Sequence, residues 1–265
     1  MTRISRASSA CEAVWREARA DNDFKAVTPA VTELLNLVRE QAQVKSEKLG
    51  VGLYDALLAD VILTTDAGKI DAVFAELEAF LPPFLEEVLE HQARGPEIVL
   101  PDGPFPEATQ KALGQKFMEM LGFDFDHGRL DVSLHPFCGG TPDDVRITTR
   151  YDENDFTSAL MGVLHETGHA MYERGLPKDW RGQPVGHALG MSVHESQSLL
   201  VEMQVCRSKT FLHFAAPIMR ETFAGTGAAW ESDNLFRLYT KVERSFIRVD
   251  ADEVTYPAHV ILRYR

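Results

Sequence analysis

The clearest chemistry in this sequence lies in the pentapeptide His165-Glu166-Thr167-Gly168-His169. Apolar residues at helical spacing flank it, which predicts that it lies within an α-helix. Residues four apart on a helix share a face, about 6 Å apart along the axis, so the two imidazoles can bind one zinc ion. Glu166 would then face the open coordination position, where it can take a proton from water and deliver it to a leaving amine. The alternative is a pair of structural histidines on one helix.

A catalytic zinc site needs a third protein ligand. The metzincin pattern would need a histidine six residues after His169, where the sequence has Gly175. Glu173 lies about 12 Å along the axis from His165, so it fits a solvated or supporting carboxylate better than a ligand. Glu195 is the preferred ligand, because a Gly- and Pro-rich connection can bring its helix back antiparallel to the first. Its alternative role is a carboxylate favoured by the helix dipole near an N-terminus.

The elements that must position these residues are mostly helices. The Pro82-Pro83 pair should kink or split its helix, because proline removes a backbone donor and clashes with the preceding turn. Hydrophobic periodicity predicts helices over about residues 6–20, 27–48, 53–64, 69–94, 106–121, 154–174, 192–213 and 228–249, and from 257 onward.

Between residues 129 and 151 the pattern changes from helical to alternating. Residues 130–134 and 144–149 are typical of two strands, and Cys138-Gly139-Gly140 between them is typical of a turn. We therefore expect a small antiparallel β element near residues 129–151. The predicted fold class is mainly α, and the length fits a single domain over residues 1–265.

Composition argues against several classes of function. The 27 Lys and Arg against 40 Asp and Glu give a formal net charge of −13, which argues against nucleic acid and anionic membranes as partners. No apolar run reaches the roughly 18 residues of a bilayer span, and the N-terminal sequence lacks the apolar segment of a secretory signal. The three cysteines are odd in number and far apart, which predicts a reducing, cytoplasmic location.

A set of short motifs extends the pentapeptide in both directions along the chain. Their order resembles that of the M32 family, the thermostable (Taq-type) metallocarboxypeptidases. The motifs are His135-Pro136-Phe137, residues 144–148 (Asp-Val-Arg-Ile-Thr), residues 165–169, His194-Glu195-Ser196-Gln197 and residues 247–252 (Ile-Arg-Val-Asp-Ala-Asp).

This resemblance implies a mostly helical, zincin-like metallopeptidase fold with a deep groove. It implies peptide substrates, from whose C-termini single residues are released, and a homodimer. It also implies one zinc ion per chain, or another divalent ion such as Co²⁺. The implied ligands are His165, His169 and Glu195, with Glu166 as the general base and acid.

Further predicted roles concern the substrate. A carboxypeptidase must bind the terminal carboxylate of a peptide, which a guanidinium does with two hydrogen bonds. Arg248 is the preferred anchor and Arg146 the second candidate, although Arg146 has the alternative of pairing with Asp144 or another acid to hold the strands. His135 could contact substrate in the groove or brace the loop before Pro136.

Donors and supports around the metal complete the predicted site. Tyr256 and Tyr264 are candidates to donate a hydrogen bond to the oxyanion formed on attack, and a buried structural role is the alternative for each. His194 is expected to support a metal ligand rather than to bind the metal itself, because its neighbour Glu195 is the predicted ligand. Asp144 is expected to support the site in the same indirect way.

One departure from the family pattern affects the functional prediction. Members of the family are much longer and carry a further signature, GxxQDxHW, which this sequence lacks. We therefore expect the chain to match a central portion of the family fold, with every proposed metal ligand present and part of the groove wall missing. Two hypotheses follow: a working carboxypeptidase, or an inactive homologue that binds only metal or peptide. A third is a different HExxH enzyme, such as an aminopeptidase or endopeptidase.

Overall fold

The computed structural model describes residues 2–62, 65–133, 135–244 and 252–265. The chain divides into two compact units, Met1–Asp71 and Ala72–Arg265. The predicted, mainly helical fold class is confirmed. The helices of the described residues are α1 (Thr2–Ala20), α2 (Phe24–Leu49), α3 (Leu53–Leu58), α4 (Ala67–Ala93), α5 (Glu107–Met120), α6 (Phe156–Gly175), α7 (Met191–Leu199), α8 (Lys209–Thr222), α9 (Ser232–Tyr239) and α10 (Tyr256–Tyr264).

The first unit is built on the pairing of α1 with α2. A short turn joins them, and Asp23 caps α2 by accepting a hydrogen bond from the backbone N–H of Ala26 at 3.2 Å. Cys11 and Val27 are buried in the small apolar cluster between the two helices. Gly50 ends α2 at φ +71°, a left-handed conformation that glycine adopts without a Cβ clash.

The sheet of the second unit has three strands in the order β1-β3-β2, where β1 is Gly128–Val132, β2 is Phe137–Thr141 and β3 is Asp144–Thr149. β2 and β3 are antiparallel, whereas β1 and β3 are parallel, with Leu130 opposite Ile147. The sheet is therefore mixed.

The expected antiparallel β element is present, but between different strands from those expected. The two segments predicted to form a hairpin, residues 130–134 and 144–149, pair in parallel over their described part, and Leu134 lies outside the described residues. The segment assigned to a turn is β2. A two-residue turn joins β2 to β3, so local connectivity makes that pair antiparallel. Gly140, at φ +105°, would place a Cβ 2.2 Å from the carbonyl oxygen of Asp144, so this strand needs glycine.

Helix α6 lies at the centre of the second unit. On one side, Phe156 at its N-terminus stacks on Trp230, with ring centroids 5.6 Å apart, in the largest core cluster. On another side, Val163 packs with Val145 and Ile147 of β3 in a second cluster. Because α6 is buried against both a helical layer and the sheet, its side chains have fixed surroundings.

Several predicted helices differ from the observed ones, and the one predicted over residues 53–64 is helical, in its described part, only over α3, which ends at Leu58. The predicted helix 192–213 is divided into α7, a π-helical turn over Leu200–Cys206, and α8, which Ser208 caps by accepting from the N–H of Phe211 at 3.1 Å. Helix α4 continues through Pro82 and Pro83, so the predicted split is wrong, while the alternative of a kink stays a prediction. The predicted helix 228–249 is helical over α9 and in a short turn before it, and residues 245–249 lie outside the described residues. None of the described helices is long and apolar enough to cross a bilayer.

Candidate metal centre

Two histidines of α6 and one glutamate of α7 meet in the second unit. The imidazole Nε2 of His165 lies 3.9 Å from Oε1 of Glu195, and Nε2 of His169 lies 3.4 Å from Oε2. One ligand atom from each of the three residues lies within 4.8 Å of the others. Two imidazoles and a carboxylate are a donor set that zinc and similar divalent ions accept, so these residues fit a metal ion.

The contact between α6 and α7 depends on Gly168, inside the pentapeptide. A Cβ at this position would lie 2.6 Å from Cα of Ser198 and 2.7 Å from the carbonyl oxygen of Gln197. A larger residue would therefore push the helices apart. Ser198 is fully buried there, and its hydroxyl donates to the carbonyl of Glu195 at 2.7 Å. The glycine thus allows the approach that brings Glu195 to the histidines.

The far side of the His165 ring contacts a buried carboxylate. Nδ1 of His165 lies 2.8 Å from Oε2 of Glu202, which is only 8% exposed and belongs to the π-helical turn. Arg207 donates through Nη2 to Oε1 of Glu202 at 2.6 Å and through Nη1 to the carbonyl of Tyr239 at 2.7 Å. Burial opposes ionisation of Glu202, but the hydrogen bond with His165 and the charge of Arg207 outweigh it, so its pKa is lowered.

Reasoning from the sequence missed Glu202. An available signal was its position seven residues after Glu195, which is two turns along an amphipathic segment and close to the same face. An acidic residue among the mostly apolar residues 199–206 could have been marked as a support for the metal site.

The far side of the His169 ring contacts a second imidazole. Nδ1 of His169 lies 2.6 Å from Nδ1 of His194, and Nε2 of His194 lies 3.1 Å from Oε1 of Glu173. The ring of Tyr172 meets the His194 ring edge to face at 5.0 Å. His194 therefore lies behind His169, and Glu173 touches the cluster only through His194.

The glutamate of the centre is oriented by α10. The hydroxyl of Tyr256 donates to Oε1 of Glu195 at 2.6 Å. Hydrogen bonding to His169 and to Tyr256 outweighs burial and lowers the pKa of Glu195 to about 2. Asp252, the last residue of the motif at 247–252, accepts from the N–H of Thr255 at 2.9 Å. This buried aspartate thus holds the turn from which Tyr256 projects.

Glu166 lies beside the two histidines and is only 7% exposed. Burial raises the pKa of its carboxyl group, and Glu195 and Glu202 add to this, while His165 and His169 oppose it. A carboxyl group with a raised pKa can both accept and release a proton nearer neutral pH.

Cys138 of β2 is a half-buried neighbour of this acidic region. Burial, followed by the charges of Glu166 and Glu173, raises the pKa of its thiol to about 12. The thiol therefore stays protonated and is a poor nucleophile. A role in packing the sheet against α6 accounts for this residue.

Two predicted site residues of β3 lie on the outer face of the sheet. Val145 and Ile147 point toward α6, so Arg146 between them points away from it. Arg146 is ion-paired with Asp144 at 2.7 Å, and the hydrogen bond lowers the pKa of Asp144. Of the two roles considered for Arg146, the structure displays the pairing with Asp144.

The other predicted residues are dispersed. His135 is exposed, and its carbonyl accepts from the Thr148 hydroxyl at 3.3 Å. Tyr264, at the far end of α10 from Tyr256, packs edge to face on Phe74 at 5.1 Å. Arg248 lies outside the described residues.

Comparison with known proteins identifies the family. A family model described as Carboxypeptidase Taq (M32) metallopeptidase matches residues 1–265. The chain belongs to the M32 carboxypeptidase family. The resemblance found in the sequence is therefore confirmed, and a metallopeptidase family implies a divalent metal.

Curated relatives and solved structures agree with this assignment. Thermostable carboxypeptidase 1 of Thermus thermophilus is 38% identical over 268 residues, which cover 98% of this chain and 52% of that protein. Carboxypeptidase 1 of Bacillus subtilis is 35% identical, over 97% of this chain and 51% of the relative. The structure of Trypanosoma cruzi metallocarboxypeptidase 1 is similar with a TM-score of 0.91 and 43% identity, over 99% of this chain and 53% of that one. The chain thus spans about half the length of these M32 relatives.

Proposed function

We propose that this M32 chain is a zinc-dependent carboxypeptidase that releases single amino acids from peptide C-termini. The observation that carries this proposal is the convergence of His165, His169 and Glu195, whose ligand atoms lie within 4.8 Å of one another beside the buried Glu166. A site with three protein ligands leaves a coordination position for substrate or water, as catalytic zinc sites do.

The metal ligands in this proposal are His165 and His169 through Nε2 and Glu195 through its carboxylate. One zinc ion per chain, or a similar ion such as Co²⁺, fits two imidazoles and a carboxylate. When bound, such an ion polarises a carbonyl group and lowers the pKa of water. Tyr256 supports this arrangement from α10, because its hydroxyl already donates to Oε1 of Glu195 at 2.6 Å.

Glu166 carries the proton transfers in this proposal. Its carboxylate would take a proton from the attacking water and then deliver that proton to the leaving amine. Its burial, with only 7% of the residue exposed, limits the competition of bulk water for the proton.

Substrate contacts are proposed for the arginines, His135 and the tyrosines. Arg248 stays the preferred anchor for the terminal carboxylate. Arg146 could serve only by exchanging its ion pair with Asp144, and both side chains are half-exposed. For the tyrosines, Tyr256 lies at the centre but must exchange its hydrogen bond to Glu195 before it donates toward developing negative charge, whereas Tyr264 packs on Phe74.

The length of the chain supports a second hypothesis. Because it spans about half of its relatives, the chain could bind metal or peptide without hydrolysis. Homodimerisation and a cytoplasmic location also stay proposals. The free state of all three cysteines supports the location.

One assay separates these hypotheses. The purified chain is loaded with zinc, its metal content is measured, and release of free amino acid from an N-blocked peptide is followed. Glu166→Gln should retain about one zinc per chain and lose activity by about 10²–10⁴-fold. Glu119→Gln, an exposed change on α5, is the matched control and should leave both unchanged.

Each outcome assigns a different function. Zinc binding by the wild-type chain without hydrolysis favours the inactive homologue. Failure to bind zinc contradicts both metal hypotheses. Cleavage only from free N-termini identifies an aminopeptidase.

A further inference from the structure

We infer that Glu202 is a positioning residue for the metal centre, which fixes the proton of His165 on Nδ1 and so leaves Nε2 free to bind the metal. Arg207 and the π-helical turn Leu200–Cys206 hold Glu202 in place for this purpose. The inference rests on the proposed metal centre and adds a residue outside its ligand set.

The first step concerns the two nitrogens of His165. Nδ1 lies 2.8 Å from Oε2 of Glu202, while Nε2 lies 3.9 Å from Oε1 of Glu195. An ionised carboxylate only accepts hydrogen bonds, so its contact requires a proton on Nδ1. In the neutral ring the lone pair is then on Nε2, the nitrogen that faces the other two ligand candidates.

The second step concerns the orientation of the Glu202 carboxylate. Its two oxygens have separate partners, since Oε2 meets His165 and Oε1 accepts from Arg207 at 2.6 Å. Arg207 is itself anchored, because its other terminal nitrogen donates to the carbonyl of Tyr239 at 2.7 Å. A rotation of the carboxylate would break both contacts, so the pair holds one geometry.

The third step concerns the backbone that carries Glu202. Contacts between α6 and the following segment run antiparallel, as His169 meets His194, Gly168 meets Ser198, and His165 meets Glu202. Glu202 therefore lies opposite the N-terminal histidine of the pair. Its N–H and carbonyl belong to the π-helical turn, a rare local structure that often occurs at functional sites.

A purely structural ion pair between Glu202 and Arg207 would stabilise the fold without affecting metal binding. The test must therefore use measurements that a structural role would not change. The variant is Glu202→Gln, which keeps the shape of the side chain and removes its charge. The matched control is Glu221→Gln, an exposed residue of α8.

The first measurement is metal affinity. Zinc affinity is determined by competition with a chelator, and the visible absorption of the Co²⁺-loaded protein reports the ligand geometry. We expect Glu202→Gln to weaken zinc binding by about 10–100-fold and to change the Co²⁺ spectrum, while the control stays within about twofold of the wild type. Circular dichroism of each variant without metal checks that it folds.

The second measurement needs no variant at position 202 and therefore stands even if Glu202→Gln does not fold. The chain is labelled with ¹⁵N-histidine, and the His165 signals are assigned by their loss in His165→Gln. In the zinc-loaded wild type we expect a slowly exchanging proton on Nδ1 of His165 and a metal-induced shift of Nε2.

The results distinguish this inference from the proposed function. If the wild type binds zinc, and Glu202→Gln binds it equally well with an unchanged Co²⁺ spectrum, Glu202 is only a structural partner of Arg207. A metal-induced shift on Nδ1 of His165 would overturn the inference in the same way. If the wild type binds no zinc, the proposed function and the inference are both wrong.

Discussion

His165 and His169 lie one turn apart on the same face of α6, yet their outer nitrogens have different partners. His165 contacts a carboxylate directly, and that carboxylate is 8% exposed and paired with Arg207. His169 contacts another imidazole, His194, and meets a carboxylate only beyond it. We call these partners the glutamate side and the histidine side of the centre.

The two sides differ in how directly they fix the position of the proton on the Nδ1 atom of the ligand histidine. On the glutamate side the acceptor cannot donate, so the proton has one position on the His165 ring. On the histidine side the proton is fixed only through an intermediate ring, because Nε2 of His194 donates to Glu173 and Nδ1 of His194 then accepts from Nδ1 of His169. The carboxylate of Glu173 is also more accessible, with 29% of its side chain exposed. We therefore expect perturbations of the glutamate side to have the larger effects.

The largest effect should follow removal of Arg207. In Arg207→Ala the buried carboxylate of Glu202 loses its cationic partner, and breaking such a buried pair costs about 3–5 kcal/mol. The free energy of unfolding, measured by urea denaturation of the metal-free chain, should fall by this amount.

A more exposed pair at the C-terminal end of α6 is the control for Arg207→Ala. Arg174 contacts Asp124 at 3.2 Å, with 39% of the Asp124 side chain exposed. Arg174→Ala should cost about 1 kcal/mol or less. Equal losses in the two variants would mean that the glutamate side is not the more strongly constrained one.

Substitution of Gly168 should affect both sides of the centre together. A Cβ at this position would lie 2.6 Å from Cα of Ser198, so α7 must shift and carry Glu195 with it. We expect Gly168→Ala to cost about 1–3 kcal/mol of stability by overpacking and to weaken zinc binding, as measured by urea denaturation and chelator competition.

Gly162, on the same helix, provides the matched control for this change. A Cβ there would meet its nearest atom at 3.8 Å, an ordinary contact. Since alanine is the better helix former, Gly162→Ala should be neutral or stabilise the fold by up to about 1 kcal/mol. A similar loss in both variants would show that α6 tolerates no side chain at either position.

The stability of α6, the helix that carries both histidines, should depend on pH through its N-cap residue Asp155. Asp155 accepts from the N–H of Thr157 at 2.8 Å. Burial raises its pKa, but hydrogen bonds from Ser158 and Thr157 outweigh this, so the pKa lies below the ordinary value of 3.8. A lowered pKa stabilises the fold at pH values above 3.8, and the contribution is lost as the pH falls through the native pKa.

Asp155→Ala should therefore cost about 1 kcal/mol at pH 7, and the difference from the wild type should shrink on acidification. Urea denaturation at a series of pH values measures it. Asp126→Asn, an exposed change, should show no such trend. A difference that grew toward low pH would contradict the assigned role of Asp155.

The helix that carries the two histidines could be predicted because its signals are local. Its apolar periodicity and the spacing of His165 and His169 both lie within one segment of the sequence. The role proposed for Glu195 needed a longer step, and a Gly- and Pro-rich connection supplied it.

The glutamate side could not be predicted because it depends on contacts across elements. The position of Glu202 depends on a π-helical turn, which periodicity does not distinguish from a continuous helix. The strand pairing failed for a similar reason. Gly139 and Gly140 are typical of a turn, and their place in β2 depends on pairing with β3 rather than on their own preference.

The smallest effect should follow a change on the histidine side. In Glu173→Gln the amide oxygen can still accept from Nε2 of His194, so the ring keeps a partner while the negative charge is lost. We expect zinc affinity to fall by less than about tenfold, below the range expected for a carboxylate that touches a ligand directly. Stability should change by less than about 1 kcal/mol, because Glu173 is partly exposed. Chelator competition measures the zinc affinity of this variant and of Glu202→Gln under the same conditions, so the two sides can be compared directly. If Glu173→Gln weakens zinc binding more than Glu202→Gln does, the histidine side, despite its exposure, determines how tightly the ligands hold the metal.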